Sequence, residues 1–224
     1  MKERGMIFNA EMVRAILDGR KTQTRRPVKG VRPDNCLPIH PATATRSGVH
    51  THVMDAPKHG LCPFGVVGDR LWVRETWATL GNEDGHPVDA NGNLCSREDA
   101  QRIYRASAIQ NPGNYGLWTS PDGFDFEGSW TPSIHMPRRA SRITLEITDV
   151  RVERVQDISQ IDAIAEGGPP DHPSFSKISR EMGFSDWSRS WFAQTWWGIY
   201  GREAWNTNPW VWVIKFKRVE GATL

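Results

Sequence analysis

The sequence predicts a mixed α+β fold, on three observations. A strand–helix–strand unit opens the chain in "MIFNAEMVRAILDGRKTQTRR". A long alternating tract runs through "SRITLEITDVRVERVQDIS", and two helical stretches lead into a closing strand, "NPWVWVIKFKRV". Strands at both ends with helices gathered late fit one layered domain over residues 1–224 better than two domains.

The elements follow in order. Asn9 is placed to cap a helix whose Met12, Val13, Ile16 and Leu17 recur at helical spacing, and Gly19 ends it. In "KTQTRRPV" regular alternation sends Lys21 and Gln23 to one face and Thr22 and Thr24 to the other. A bulge or a late strand start would instead bring Lys21 and Thr24 together. Residues 29–63, rich in Pro, Gly, Thr and His, show no apolar period and are expected to form a long loop insertion. "GDRLWVRETWA" alternates, with Leu71 and Val73 on one face and Arg70, Trp72 and Arg74 on the other. Residues 81–132 form the second expected insertion, interrupted only by a short strand at "RIYRAS".

Ile143, Leu145 and Ile147 share a face of the long tract, and Val150, Val152 and Val155 continue it after a register change near Asp149. Ser159 then caps a short helix that Gly167 stops, leaving Glu166 at its end. An acid there opposes the helix macrodipole, a mild misplacement that hints at a role. "DWSRSWFAQTWWGIYG" is a helix apolar around most of its circumference. Its Trp187, Trp191, Trp196 and Trp197 are expected mostly in the core.

Composition narrows the function classes. A net charge of +2 gives no global field for a polyanion, so any basic surface is local. No stretch is apolar for long enough to span a bilayer, and the N-terminus lacks a secretory apolar core. With three cysteines and no paired framework, a cytoplasmic protein without membrane partners is expected. His50, His52, His59, Cys62 and Cys36 match no zinc framework, so no metal or other cofactor is expected. Eleven tryptophans exceed ordinary core needs and suit stacking on bases.

Two stretches carry candidate chemistry. Arg20, Lys21, Thr24, Arg25 and Arg26 crowd one strand. A solvated, aggregation-resistant edge would account for some of them. A lysine lowered in pKa by burial or neighbouring cations can also take a proton from a hydroxyl, and an arginine pair can grip a phosphate or carboxylate. "RLWVRETW" offers Arg70, Trp72, Arg74, Glu75 and Trp77 either as an ordinary strand with a surface ion pair or as a stacking and phosphate-contacting platform.

"ILDGRKTQTRR" resembles the signature of the ASCH domain family, Gly-x-Lys-x-x-Thr-x-Arg, through Gly19, Lys21, Thr24 and Arg26. "GDRLWVRETW" and "ASRITLEITDVRVERVQDIS" resemble larger phage and prophage members of that group. The resemblance implies a PUA-like β-barrel with flanking helices and binding of RNA or a modified nucleoside. One branch of the family hydrolyses the acetyl amide of N4-acetylcytidine with a Lys, a Thr and a Glu. Carried over, these are Lys21, Thr24 and Glu166; the mechanism expected has Lys21 as base, Glu166 as acid, and Arg26 or a backbone amide at the oxyanion. A non-catalytic nucleic-acid binder and a metal-independent ribonuclease are the alternatives.

Overall fold

A computed structural model describes residues 1–39, 49–170 and 173–219. The remaining residues, including 40–48 of the first expected insertion, lie outside the described set. Strands and helices alternate as β1 (Glu3–Ile7), α1 (Ala10–Leu17), β2 (Gln23–Pro27), β3 (Cys36–Pro38) and β4 (His50–His52). Then come β5 (Arg70–Arg74), β6 (Trp77–Thr79), β7 (Arg102–Tyr104), β8 (Ile109–Asn111), β9 (Asn114–Thr119) and β10 (Asp125–Glu127). The chain ends with β11 (Thr144–Arg154), α2 (Gln160–Ala165), α3 (Pro173–Glu181), α4 (Trp187–Tyr200), α5 (Arg202–Asn206) and β12 (Trp210–Arg218).

The fold is mixed α+β. Its largest sheet has five strands in the order β1-β5-β11-β12-β2, with β1 and β2 as edges, so these strands do not close into a barrel among the described residues. The chain divides into two compact units, one of residues 1–4, 15–71 and 145–219, the other of residues 5–14 and 72–144.

In the first unit β12 pairs antiparallel with both β11 and β2. The register change in β11 falls between Ile147 and Asp149, where the ladder skips Thr148. One extra residue reverses the parity of everything after it. Leu145 and Ile147 therefore share a face with Val150 and Val152, whereas Arg151 and Glu153 turn to the opposite face. Cross-strand partners put Arg25 beside Val213 and Arg151 on that second face, and Thr24 beside Ile214 on the first. Helices α2 and α4 cover the second face through Ala163, Phe192 and Trp196, packed with Val211, Val213, Val155 and Ile158. Trp196 lies in this core, as expected of the Trp-rich helix, while Trp191 and Trp197 are only partly buried.

The expected loop at 29–63 contains the β3–β4 hairpin and a 3₁₀ turn at Val53–His59. Its strands are three residues each, too short to show a period.

The second unit has its own core of Ala78, Leu80, Ile103 and Phe126, flanked by Trp118 and Trp130. The second expected insertion is more regular than its sequence suggests. β8, β9 and β10 form a three-stranded antiparallel sheet. Their residues are largely exposed, so apolar alternation never develops to signal them.

No helix among the described residues is long and apolar enough to cross a membrane. Cys36, Cys62 and Cys95 are free thiols.

Candidate functional site

The site is built where the first helix hands over to the first basic strand. Asn9 accepts a hydrogen bond from the Met12 amide at 2.8 Å and caps α1. Gly19 takes a φ of +73° and turns the chain back. The Lys21 amide then donates to the Ala15 carbonyl and the Thr22 amide to the Ala165 carbonyl, each at 2.9 Å. Lys21 and Glu166 thus form an antiparallel bridge that ties the turn before β2 to the end of α2.

α2 is fixed from both ends. The Ser159 hydroxyl caps it by accepting from the Asp162 amide at 3.0 Å. Gln23 Nε2 donates to the Asp162 carbonyl at 3.0 Å. Gly167 adopts a φ of +98°, and a Cβ there would sit 3.0 Å from Ala15 Cβ and 3.4 Å from Lys21 Cβ. Only glycine lets the chain pass this close to the lysine.

Lys21 is 2% exposed and Glu166 is 4% exposed, so their meeting is an interior one. Lys21 Nζ donates to the Glu166 carboxylate at Oε2 and to the Glu166 carbonyl, both at 2.8 Å. The ammonium therefore offsets the misplaced acid and also caps the negative end of α2. Arg25 Nη1 donates to the other carboxylate oxygen, Oε1, at 3.0 Å.

The cluster extends further on the face that the β11 register change created. The Arg25 side chain is wholly buried and also pairs with Glu153 and, at 3.3 Å, with Asp162. Arg151 closes the ring with Glu153 at 3.1 Å and Asp162 at 3.0 Å. The Arg25 guanidinium lies 5.6 Å from the centre of the Phe192 ring.

Burial pushes the Lys21 amine below the usual lysine range; Glu166 pulls it back, and Arg26 and Arg25 lower it further. Asp162 moves the other way for a carboxyl. Its burial favours the neutral acid, but Arg25, Arg151 and hydrogen bonds from Gln23 and Ser159 outweigh this and hold it below the ordinary value.

Of the expected residues, Lys21 and Glu166 come together, with Arg20 beside them. Arg20 donates to the Gly167 carbonyl at 3.1 Å and pairs with Asp18. Thr24 is 2% exposed and lies on the other face of β2 from Gln23 and Arg25. Arg26 shares the Thr24 face, opposite Trp212, and reaches the Tyr200 hydroxyl at 3.5 Å. Lys21 precedes β2, so strand alternation does not bind it to either face. Arg25, rather than Thr24, is the β2 residue that reaches Glu166.

A cavity of about 460 Å³ is lined by Pro27, Leu37, Phe64 and Trp212 among others, but neither Lys21 nor Glu166 lines it. Arg70, also of this unit, is partly buried at the start of β5, and its Nε has no hydrogen-bond partner among the described residues.

The remaining expected residues belong to the second unit and are engaged there. Arg74 stacks on Trp72, its guanidinium 5.3 Å from the ring centre, and donates to the Ser133 and Ile134 carbonyls. Glu75 does not pair with Arg74. It is 1% exposed and held by Arg142. Trp77 pairs with Tyr104 across β6 and β7 and bridges to Thr131. Among the described residues, no three His, Cys, Asp or Glu side chains converge as a metal site. His50 contacts Arg32 at 3.0 Å, and His52 caps the 3₁₀ turn by accepting from the Met54 amide.

Gln23, Arg151, Glu153 and Asp162 were not expected in the cluster. A signal for two of them was present, since Val150 and Val152 carry the apolar face on after the change near Asp149, which sends Arg151 and Glu153 together to the opposite one. Comparison with protein-family models, with curated proteins and with solved structures returns no match for this chain.

Proposed function

We propose that this protein is an ASCH-type, nucleoside- or RNA-directed amidohydrolase, with a PUA-like arrangement of its main sheet, that removes an acyl group from a modified cytidine. The observation that supports the reading is the interior Lys21–Glu166 contact at 2.8 Å, which joins a lysine of lowered pKa to an acid 145 residues away in sequence.

In this reading the Thr24 hydroxyl attacks the acyl carbonyl and its proton passes to the neutral Lys21 amine. Collapse of the adduct breaks the C–N bond, and Lys21 returns the proton to the departing cytidine nitrogen. Water then hydrolyses the Thr24 ester and releases the acid. Arg26 shares the Thr24 face and is the cation positioned for the oxyanion. Both carboxylate oxygens of Glu166 are occupied, by Lys21 and Arg25, which favours a positioning role over proton donation.

The test is incubation with N4-acetylcytidine and with acetylated RNA oligonucleotides, with mass spectrometry of the products. Cytidine and acetate are expected from the wild type, and neither from Lys21→Met or Thr24→Val. Unchanged turnover in either variant would falsify the assignment.

With Lys21, Thr24 and Glu166 almost fully buried, the second reading is a nucleic-acid binder without chemistry at this cluster, its contacts made by exposed cations such as Arg20. That reading predicts intact substrate and an affinity that falls with salt by a log-log slope of about 0.7 per phosphate contact on single strands.

A further inference from the structure

We infer that the cavity between α5, the start of α4 and the turn before it is a second ligand site, built for a nucleoside monophosphate unit. The cavity holds about 460 Å³, within the range of small-ligand sites. Its lining combines the rings of Phe184, Trp197 and Trp205 with the side chains of Arg189 and Arg202. Phe184 stands 6.3 Å from the Trp197 ring and 6.2 Å from the Trp205 ring, so three aromatic surfaces border one space.

The charged groups of the lining are of one sign, Arg189 and Arg202, beside the neutral side chains of Gln156, Ser185 and Asn206. Arg202 stacks over Trp197 at 5.2 Å and has no ion pair among the described residues. Trp197 Nε1 is buried and has no hydrogen-bond partner among the described residues. Arg189 Nε is buried likewise; it lies 3.4 Å from Asp186 in an ion pair, and Arg189 Nη1 donates to Ser185. Arginine and indole nitrogens can only donate, and no acidic residue lines the cavity. Arginines with no carboxylate in the lining call for an anion, and three aromatic rings call for a planar partner on which to stack. A nucleotide supplies both, its phosphate for the arginines and its base for the rings. The site belongs to the Trp-rich helix and shares no residue with the Lys21 cluster, so it does not rest on the hydrolase reading and survives that reading's failure.

The experiment is a calorimetric and tryptophan-fluorescence titration of the full chain with cytidine 5′-monophosphate, cytidine, inorganic phosphate and a cytidine trinucleotide. One saturable site for the monophosphate is expected, with cytidine and phosphate each at least about ten-fold weaker. Arg202→Gln, at an exposed position, should weaken the monophosphate at least about ten-fold with circular dichroism unchanged. Trp197→Phe keeps a ring, deletes the N–H, and should weaken it by a smaller factor. A trinucleotide bound at least ten-fold more tightly identifies the source as a strand, and equal affinity identifies it as the free nucleotide. No saturable binding of either up to millimolar concentration overturns the proposal. So does binding that both variants leave unchanged, since the ligand would then sit elsewhere.

Discussion

Among the described residues each unit buries one glutamate, and the two are treated differently. Glu75 and Glu166 are 1% and 4% exposed, so depth does not separate them. Glu75 faces a single cation. Arg142 forks onto it with Nε to Oε1 and Nη2 to Oε2, both at 3.0 Å, while Arg142 also donates to Ser107 and lies 4.1 Å over the Tyr104 ring. That is a closed arrangement, a guanidinium fork matched to both carboxylate oxygens. Glu166 divides its oxygens between Arg25 and a lysine whose proton is loosened by burial. One acid sits in a bidentate arginine fork; the other is shared between an arginine and a lysine of lowered pKa.

This contrast can be broken by mutation. Arg142→Ala leaves Glu75 buried without a cation and should cost about 3–5 kcal/mol in urea unfolding. Lys21→Met removes one of two cations from Glu166, which Arg25 still grips, and should cost less, about 1–3 kcal/mol. A larger loss for Lys21→Met than for Arg142→Ala would make the lysine pair the structural anchor and reverse the assignment. Ser159→Ala deletes only the cap of α2 and should cost about 1 kcal/mol. Because α2 carries Glu166, it should also slow acyl release more than a surface Ser→Ala change does.

The pH dependence of stability sharpens the same contrast. Lys21 has a folded pKa below its ordinary 10.5, so between the two values the unfolded chain binds more protons and stability rises with pH. Lys21→Met should flatten that alkaline rise. Asp162 has a folded pKa below its ordinary 3.8, so its contribution is present above that value and lost as pH falls through the folded one. Urea titrations at several pH values read both limbs.

Much of the fold was legible because it is written in local signals. Asn9, Ser159, Gly19 and Gly167 mark helix ends by chemistry that acts within a few residues, and each does so in the structure. The β11 register change was visible as a break in apolar parity. Lys21 and Glu166 were reached through a resemblance, since 145 residues of chain lie between them and no period links them. Arg25 illustrates the limit. From sequence, alternation sets it on the face opposite Thr24, but only the folded chain shows that this face is the one that meets Glu166. β8–β10 stayed hidden because they are short and mostly exposed, and so lack the apolar repeat on which strand reading depends.

The most direct measurement is the pH profile of acetate release from N4-acetylcytidine. With Lys21 as the base, the rate should climb as the amine loses its proton and level off below pH 10.5. Glu166 raises the Lys21 pKa, so Glu166→Gln should shift the inflection to lower pH. A rate with no rise at any pH below 10.5, or an inflection that Glu166→Gln leaves in place, would contradict the role given to this pair.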